Sequence, residues 1–270
     1  MVRSPISLAA LRRLLLQIES SGRGEHVLAI GGASDLAPVL RQQFLRGGAD
    51  PAAVRLGEPE GADVYVHVLA GEAGAADEAI LRRSRRARVP VVAVVAGRTG
   101  NAPVPYVLAT DVVPAGREFP LETIARTIAA RLGEHGAPLA GRVPLLRTAV
   151  SEQLVASFAL KNGLLGAAVW ARGADLPVLA LNELRLVLRV AQAYGEGDVR
   201  ERLPELVATV GAGFGLRALA RELLDRVTVA NWALNGAIAY GGTRALGEAA
   251  RQRFELAPTR QQGAGERAAP

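Results

Sequence analysis

Hydrophobic positions along the chain follow two different periods. Between residues 25 and 134, short Val-rich runs alternate with stretches of helical spacing. The runs are 26–30, 64–69, 89–95 and 106–113, with 52–56 a weaker, edge-like one. Near-continuous apolar runs of this length fit strands buried on both faces of a parallel sheet. Helical spacing covers 35–46, 75–88 and 120–132. The alternation predicts an α/β fold with an open, mostly parallel sheet. Only the connection 96–105 breaks the rhythm, being too short for an ordinary crossover helix.

Beyond residues 133–144 the period is helical throughout, which predicts an all-α C-terminal domain. Residues 133–144 are rich in Gly and Pro and read as a linker. Helical patterns follow at 145–172, 175–194, 214–226 and about 230–254. Asp175 is placed to cap the second, with Pro177 in its first turn and Gly195 at its end, and Asp198 can cap the next. The N-terminus reads as an amphipathic helix with Leu8, Leu11, Leu15 and Ile18 on one face. The expected organisation is an N-terminal helix (1–24), an α/β domain (25–132), a linker (133–144), a helical domain (145–256) and a disordered tail (257–270).

Composition removes several chemistries. The 270 residues contain no Cys, so disulfides, thiolate nucleophiles and cysteine zinc sites are absent. Lys161 is the single lysine among 32 basic residues, which outnumber 26 acidic ones for a net charge of +6. Aromatics at 4% are too sparse for base stacking and argue against a nucleic-acid partner. Arg12 and Arg13 interrupt the N-terminal apolar stretch, so it does not read as a secretory signal. The expected location is the cytoplasm or the cytoplasmic face of the inner membrane. The longest charge-free run, 227–243, sits at the lower end of the ~17–25 residues a span requires. It carries Asn231, Asn235 and glycines, and reads as a buried helix, with peripheral membrane contact left open.

The strand-to-helix turn Gly31, Gly32, Ala33, Ser34, Asp35 stands where a phosphate loop belongs. Matched to the Walker A spacing from Gly31, the second Gly, the Lys and the Ser/Thr fall on Leu36, Ala37 and Pro38. The lysine that faces the terminal phosphates and the magnesium-binding hydroxyl are therefore both missing. Ser34 or Asp35 is expected to cap the helix instead. A short-chain dehydrogenase reading fails as well, because Ser157 stands four residues before Lys161 where a Tyr is required. The run Val210 to Gly215 has Leu216 where a dinucleotide turn needs its third Gly. Gly211, Gly213, Gly215, Trp232, Gly236 and Tyr240 are read instead as positions of close helix packing or membrane contact. His26, His67 and His135 have no metal-ligand spacing and read as surface or strand-end residues. No catalytic constellation emerges, so the expectation is a non-enzyme without cofactor or metal; Gly31, Gly32, Ala33 and Ser34 are the candidate cofactor-binding positions. Arg82, Arg83, Arg85, Arg86 and Arg88 form the densest charge cluster. They are candidates for contact with an anionic surface, against the plainer reading of a solvated helix end with a Glu78–Arg82 pair.

Four segments together resemble the GTPase-associated helical domain known as domain-of-unknown-function family 697. They are Gly173-Ala174-Asp175-Leu176-Pro177, Tyr194-Gly195, Val210 to Arg217, and Ala239 to Gly247. The resemblance covers about a third of the chain and carries no catalytic residues. It implies a bacterial protein, a preceding G domain and, for some members, an inner-membrane association. The N-terminal half resembles such a G domain in layout. The strand at 62–68 looks like the one after the switch region, and 89–95 like the one before the guanine-specificity motif. There Ala96-Gly97-Arg98-Thr99 replaces the expected Asn-Lys-x-Asp. The expectation is an interaction or scaffold protein: a GTPase-like module without its nucleotide motifs, fused to a helical domain that docks on a protein partner or the membrane, with room for a homo-oligomer. The alternative is a nucleotide-binding sensor or enzyme with a non-standard site at residues 31–35.

Overall fold

The computed structural model describes residues 8–97, 103–168, 176–196 and 231–256. Five parallel strands form one sheet in the order β2-β1-β3-β4-β5. They are β1 (Leu28–Gly32), β2 (Val54–Leu56), β3 (Val64–Leu69), β4 (Val91–Ala96) and β5 (Val112–Ala115). All six residues of β3 are buried, as expected for a central strand covered on both faces. The described helices are α1 (Leu8–Gly22), α2 (Leu36–Arg46), α3 (Ala75–Arg86), α4 (Leu121–Leu132), α5 (Ala137–Arg142), α6 (Arg147–Ala168), α7 (Leu176–Ala193) and α8 (Asn231–Leu256).

Strand alternation sorts the core. Leu28, Ile30, Val64, Val66, Val68, Val92, Val94 and Val113 point to one face. That face packs on α1, α2 and α4, and the same cluster runs on through Leu139 of α5, Leu154 of α6 and Leu186 of α7 to Phe254 of α8. A single hydrophobic core thus joins the sheet to the helical part. The opposite face, with Ala29, Tyr65, Ala93 and Val95, is covered by Leu81 of α3 and by two irregular segments. One of these, between β2 and β3, crosses β1 closely: Gly57 N–H donates to the Ile30 carbonyl (3.0 Å) and Asp63 N–H to that of Val27 (2.9 Å).

Two expectations are corrected. Residues 133–144 are no linker: they fold as a 3-10 turn and α5, with Ala137, Pro138, Leu139, Ala140 and Gly141 buried. Their Gly and Pro content reflects a helix start and a close approach; a Cβ on Gly141 would lie 2.7 Å from the Gln192 carbonyl of α7. Arg142 ties this stretch to the sheet half, donating to Asp50 (2.8 Å) and to the His26 carbonyl (3.0 Å). The apolar run 106–113 is a strand only from Val112, because Tyr106 turns the chain and Ala109–Asp111 form a 3-10 turn. In α1, Ile18 is buried and Leu15 partly buried, as the amphipathic pattern predicts, with Leu14 buried beside them; the side chains of Leu8 and Leu11 lie outside the described part.

Helix ends show how the sequence stops each element. In α2, Ala49 N–H bonds back to Phe44 (3.2 Å) and Gly48 N–H to Leu45 (3.0 Å), with Gly48 at φ +84°. The Schellman pattern recurs after α7, with Gly195 at φ +80°. It recurs again after α3, where Val89 N–H reaches Ser84 (3.1 Å) and Arg88 N–H reaches Arg85 (3.2 Å). There the left-handed residue is Arg88, at φ +58°. A side chain in this conformation costs roughly 1–2 kcal/mol relative to glycine.

Among the described residues, no helix is long and apolar enough to cross a membrane. Residues 231–243 of the charge-free run belong to α8, where Gly236, Ala239 and Thr243 are buried. Residues 227–230 lie outside the described part.

Candidate functional site

In doubly wound sheets the strand order reverses at one point, and ligands sit in the crevice at the strands' C-terminal ends there. In the order β2-β1-β3-β4-β5 that point lies between β1 and β3, beside Gly31, Gly32, Ala33 and Ser34. The chain closes this crevice with its own groups. Ala33 N–H donates to the Val68 carbonyl at the end of β3, 2.8 Å away. Gly32, at φ +98°, lies so close to β3 that a Cβ would sit 2.1 Å from the Val68 oxygen. A Cβ on Gly31 would sit 2.3 Å from the Tyr65 hydroxyl and 2.7 Å from the Gly57 carbonyl. Both glycines are therefore explained by close approach of neighbouring protein atoms.

The donors of the following helix are also used. Leu36 and Ala37 N–H groups bond the Ala33 carbonyl at 3.2 and 2.9 Å, and Pro38 has no N–H to offer. Asp35 takes the cap position without making a side-chain cap bond, contrary to the capping role expected for it. Its carboxylate stands exposed where an incoming phosphate would meet like charge.

Beneath the turn lies a relay that sequence spacing missed. On β3, Tyr65 and His67 point to the α3 face. Asp77 enters the first turn of α3, accepting the Gly74 N–H (2.9 Å). His67 Nε2–H donates to Asp77 (2.8 Å), and the Tyr65 hydroxyl donates to His67 Nδ1 (3.1 Å). Burial lowers the His67 pKa despite Asp77, and burial pushes Tyr65 up to about 12. Both groups are therefore neutral near pH 7, each able to donate and to accept. His67 is fully buried, so the surface or strand-end reading fails for it. His26 is half-buried, its ring bonded to Asp63 and to the Ser21 carbonyl (2.6 Å). Asp77 stands ten residues along in another element, so no local motif announces the network.

All five arginines of the α3 cluster are exposed. Arg83 bonds Glu58 (2.6 Å) and Glu60 (3.0 Å) on the β2–β3 segment. Arg82, Arg85, Arg86 and Arg88 have no ion-pair partner among the described residues, so the Glu78–Arg82 pair does not form.

Gly236 and Tyr240 stand at the crossing of α6 and α8. A Cβ on Gly236 would lie 3.0 Å from Ala167 Cβ, and one on Gly163 would lie 3.1 Å from Tyr240 Cβ. Nearby, a buried polar chain links three helices. Asn182 donates to Asn162 (2.9 Å), Asn162 to Thr243 (3.0 Å) and Thr243 to Glu183 (3.0 Å). Lys161 bonds Glu134 and lies 5.4 Å from the Phe158 ring centre. Gly211, Gly213 and Gly215 fall outside the described residues, as do residues 173–175 and 210–217 of the resemblance; Trp232 is in the first turn of α8.

No protein-family model matches the chain, and no curated protein matches it.

Proposed function

We propose that the protein is a non-catalytic interaction or scaffold protein. Its front module has a GTPase-like layout without the phosphate loop and base-reading motif, and its helical part docks on a protein partner or the inner membrane. The observation that carries this reading is the Ala33 N–H bond to the Val68 carbonyl, 2.8 Å long, across the crevice where such sheets take their ligands. Phosphate loops work because backbone amides are free to face the anion. Here the amides of Ala33, Leu36 and Ala37 are spent on carbonyls, and Pro38 removes another.

The shared core supports the scaffold side of the reading. Residues of α5, α6 and α7 lie in the same apolar cluster as the sheet, so the two parts share one packed core. Calorimetric titration with GTP and Mg²⁺ tests the proposal. The expected result is no saturable heat; a magnesium-dependent Kd near ~1 μM, equivalent to about −8 kcal/mol, would refute it.

A further inference from the structure

Two non-glycine residues in the described chain have a left-handed backbone: Arg88 at φ +58° and Tyr106 at φ +65°. At each, the local turn is one that normally takes glycine. Arg88 fills the position that Gly48 and Gly195 fill after α2 and α7. Tyr106 follows Pro105 in the turn closed by Val107 N–H to the Val104 carbonyl (3.2 Å). Proline at the second place and a positive φ at the third mark a type II turn, whose third residue is usually Gly. The same chain uses glycine for this purpose elsewhere, so the two side chains are kept against a backbone preference. Strain of this kind gathers at functional sites.

The two residues meet. Both line a cavity of about 380 Å³ between the end of α3 and the 103–111 segment, at the N-terminal edge of β4. Arg85 and Arg131 also line it, with Asp111 as the one carboxylate. Asp111 is already bonded by Arg131 at 3.1 Å. Arg85 and Arg88 have no partner among the described residues. Tyr106 is 45% exposed and Leu108, on the same wall, 58% exposed. The wall therefore offers two uncommitted guanidinium groups, a phenol and an apolar rim.

We propose that this cavity is a binding site for a phosphate ester, with Arg85 and Arg88 gripping the phosphate, Tyr106 donating to it, and Leu108 against the attached carbon skeleton. Guanidinium forks suit phosphate oxygens, and charge-assisted bonds to them are among the stronger ones. The site lies at the N-terminal end of β4, whereas the Gly31–Asp35 turn follows the C-terminal end of β1, so it stands or falls independently of the GTP titration.

The same chemistry is available from a soluble ester or a lipid headgroup, and two probes separate them. Full-length protein is titrated with glycerol 1-phosphate, and floated with phosphatidylglycerol-containing vesicles against pure phosphatidylcholine ones. Saturable glycerol phosphate binding assigns a soluble ester; binding to the phosphatidylglycerol vesicles alone assigns a headgroup. Arg88→Gly and Tyr106→Gly place the preferred residue in each turn, so Tm is unchanged or raised by up to about 3 °C. Binding by either variant weakens about tenfold or more, and Arg85→Gln weakens it likewise. The proposal is overturned if neither probe binds more tightly than about 1 mM, if the variants bind as the parent does, or if both glycine variants unfold.

Discussion

The Tyr65 hydroxyl stands where Gly31 would carry a Cβ, 2.3 Å from that position. The glycine beginning the would-be phosphate loop is thereby accounted for by a phenol from the neighbouring strand. That phenol is held by His67, and His67 by Asp77. The turn's glycine content follows from packing.

Gly31→Ala is expected to cost about 2–3 kcal/mol by overpacking. Tyr65→Phe removes the clashing oxygen and one hydrogen bond, at about 1–2 kcal/mol. Combined, the two substitutions cost less than their sum by about 1 kcal/mol, because the Gly57 carbonyl remains 2.7 Å away and rescue is partial. Urea unfolding of the four proteins measures this coupling; strict additivity would mean that the phenol does not constrain Gly31.

Acidification should weaken the fold through His67. Its folded-state pKa lies below the ordinary 6.5, so the unfolded chain binds the proton first as pH falls. Stability from this residue is complete above pH 6.5 and is lost as the pH falls from there toward the folded value. Urea midpoints between about pH 5 and 7.5 should therefore fall on the acid side, and His67→Gln should flatten that slope. A slope unchanged by the substitution would remove His67 as its source.

The Val-rich strands were legible because strands buried on both faces keep an apolar run, as β3 does throughout. The order of strands, the buried α5 and the sheet-to-helix core were not. In α5, Gly and Pro serve a helix start and the contact of Gly141 with Gln192, functions that composition does not separate from a linker. The Tyr65–His67–Asp77 relay was illegible because its partners join two elements. The cavity with Arg88 and Tyr106 was hidden for a different reason: both take turn conformations that sequence rules assign to glycine. The arginine cluster itself could be read, but which of its members lacked partners could not.

Two glycines of the helical part should respond oppositely to alanine. At Gly166 a Cβ would meet Ala239 Cβ at 2.8 Å and the Asn235 carbonyl at 2.9 Å, so Gly166→Ala should destabilise by about 1–3 kcal/mol. At Gly241 nothing lies within 4 Å, and Gly241→Ala within α8 should stabilise by about 0.5–1 kcal/mol. Thermal denaturation of both variants checks the sign; a stabilising Gly166→Ala would contradict the close crossing of α6 and α8.

The closed crevice is tested most directly by amide exchange and chemical shifts in ¹⁵N-labelled protein. The Ala33 amide is predicted to exchange only as slowly as the sheet interior, and the resonances of residues 31–37 to stay fixed when GTP and Mg²⁺ are added. A fast-exchanging Ala33 amide, together with shifts in that turn that saturate at micromolar nucleotide, would contradict the account.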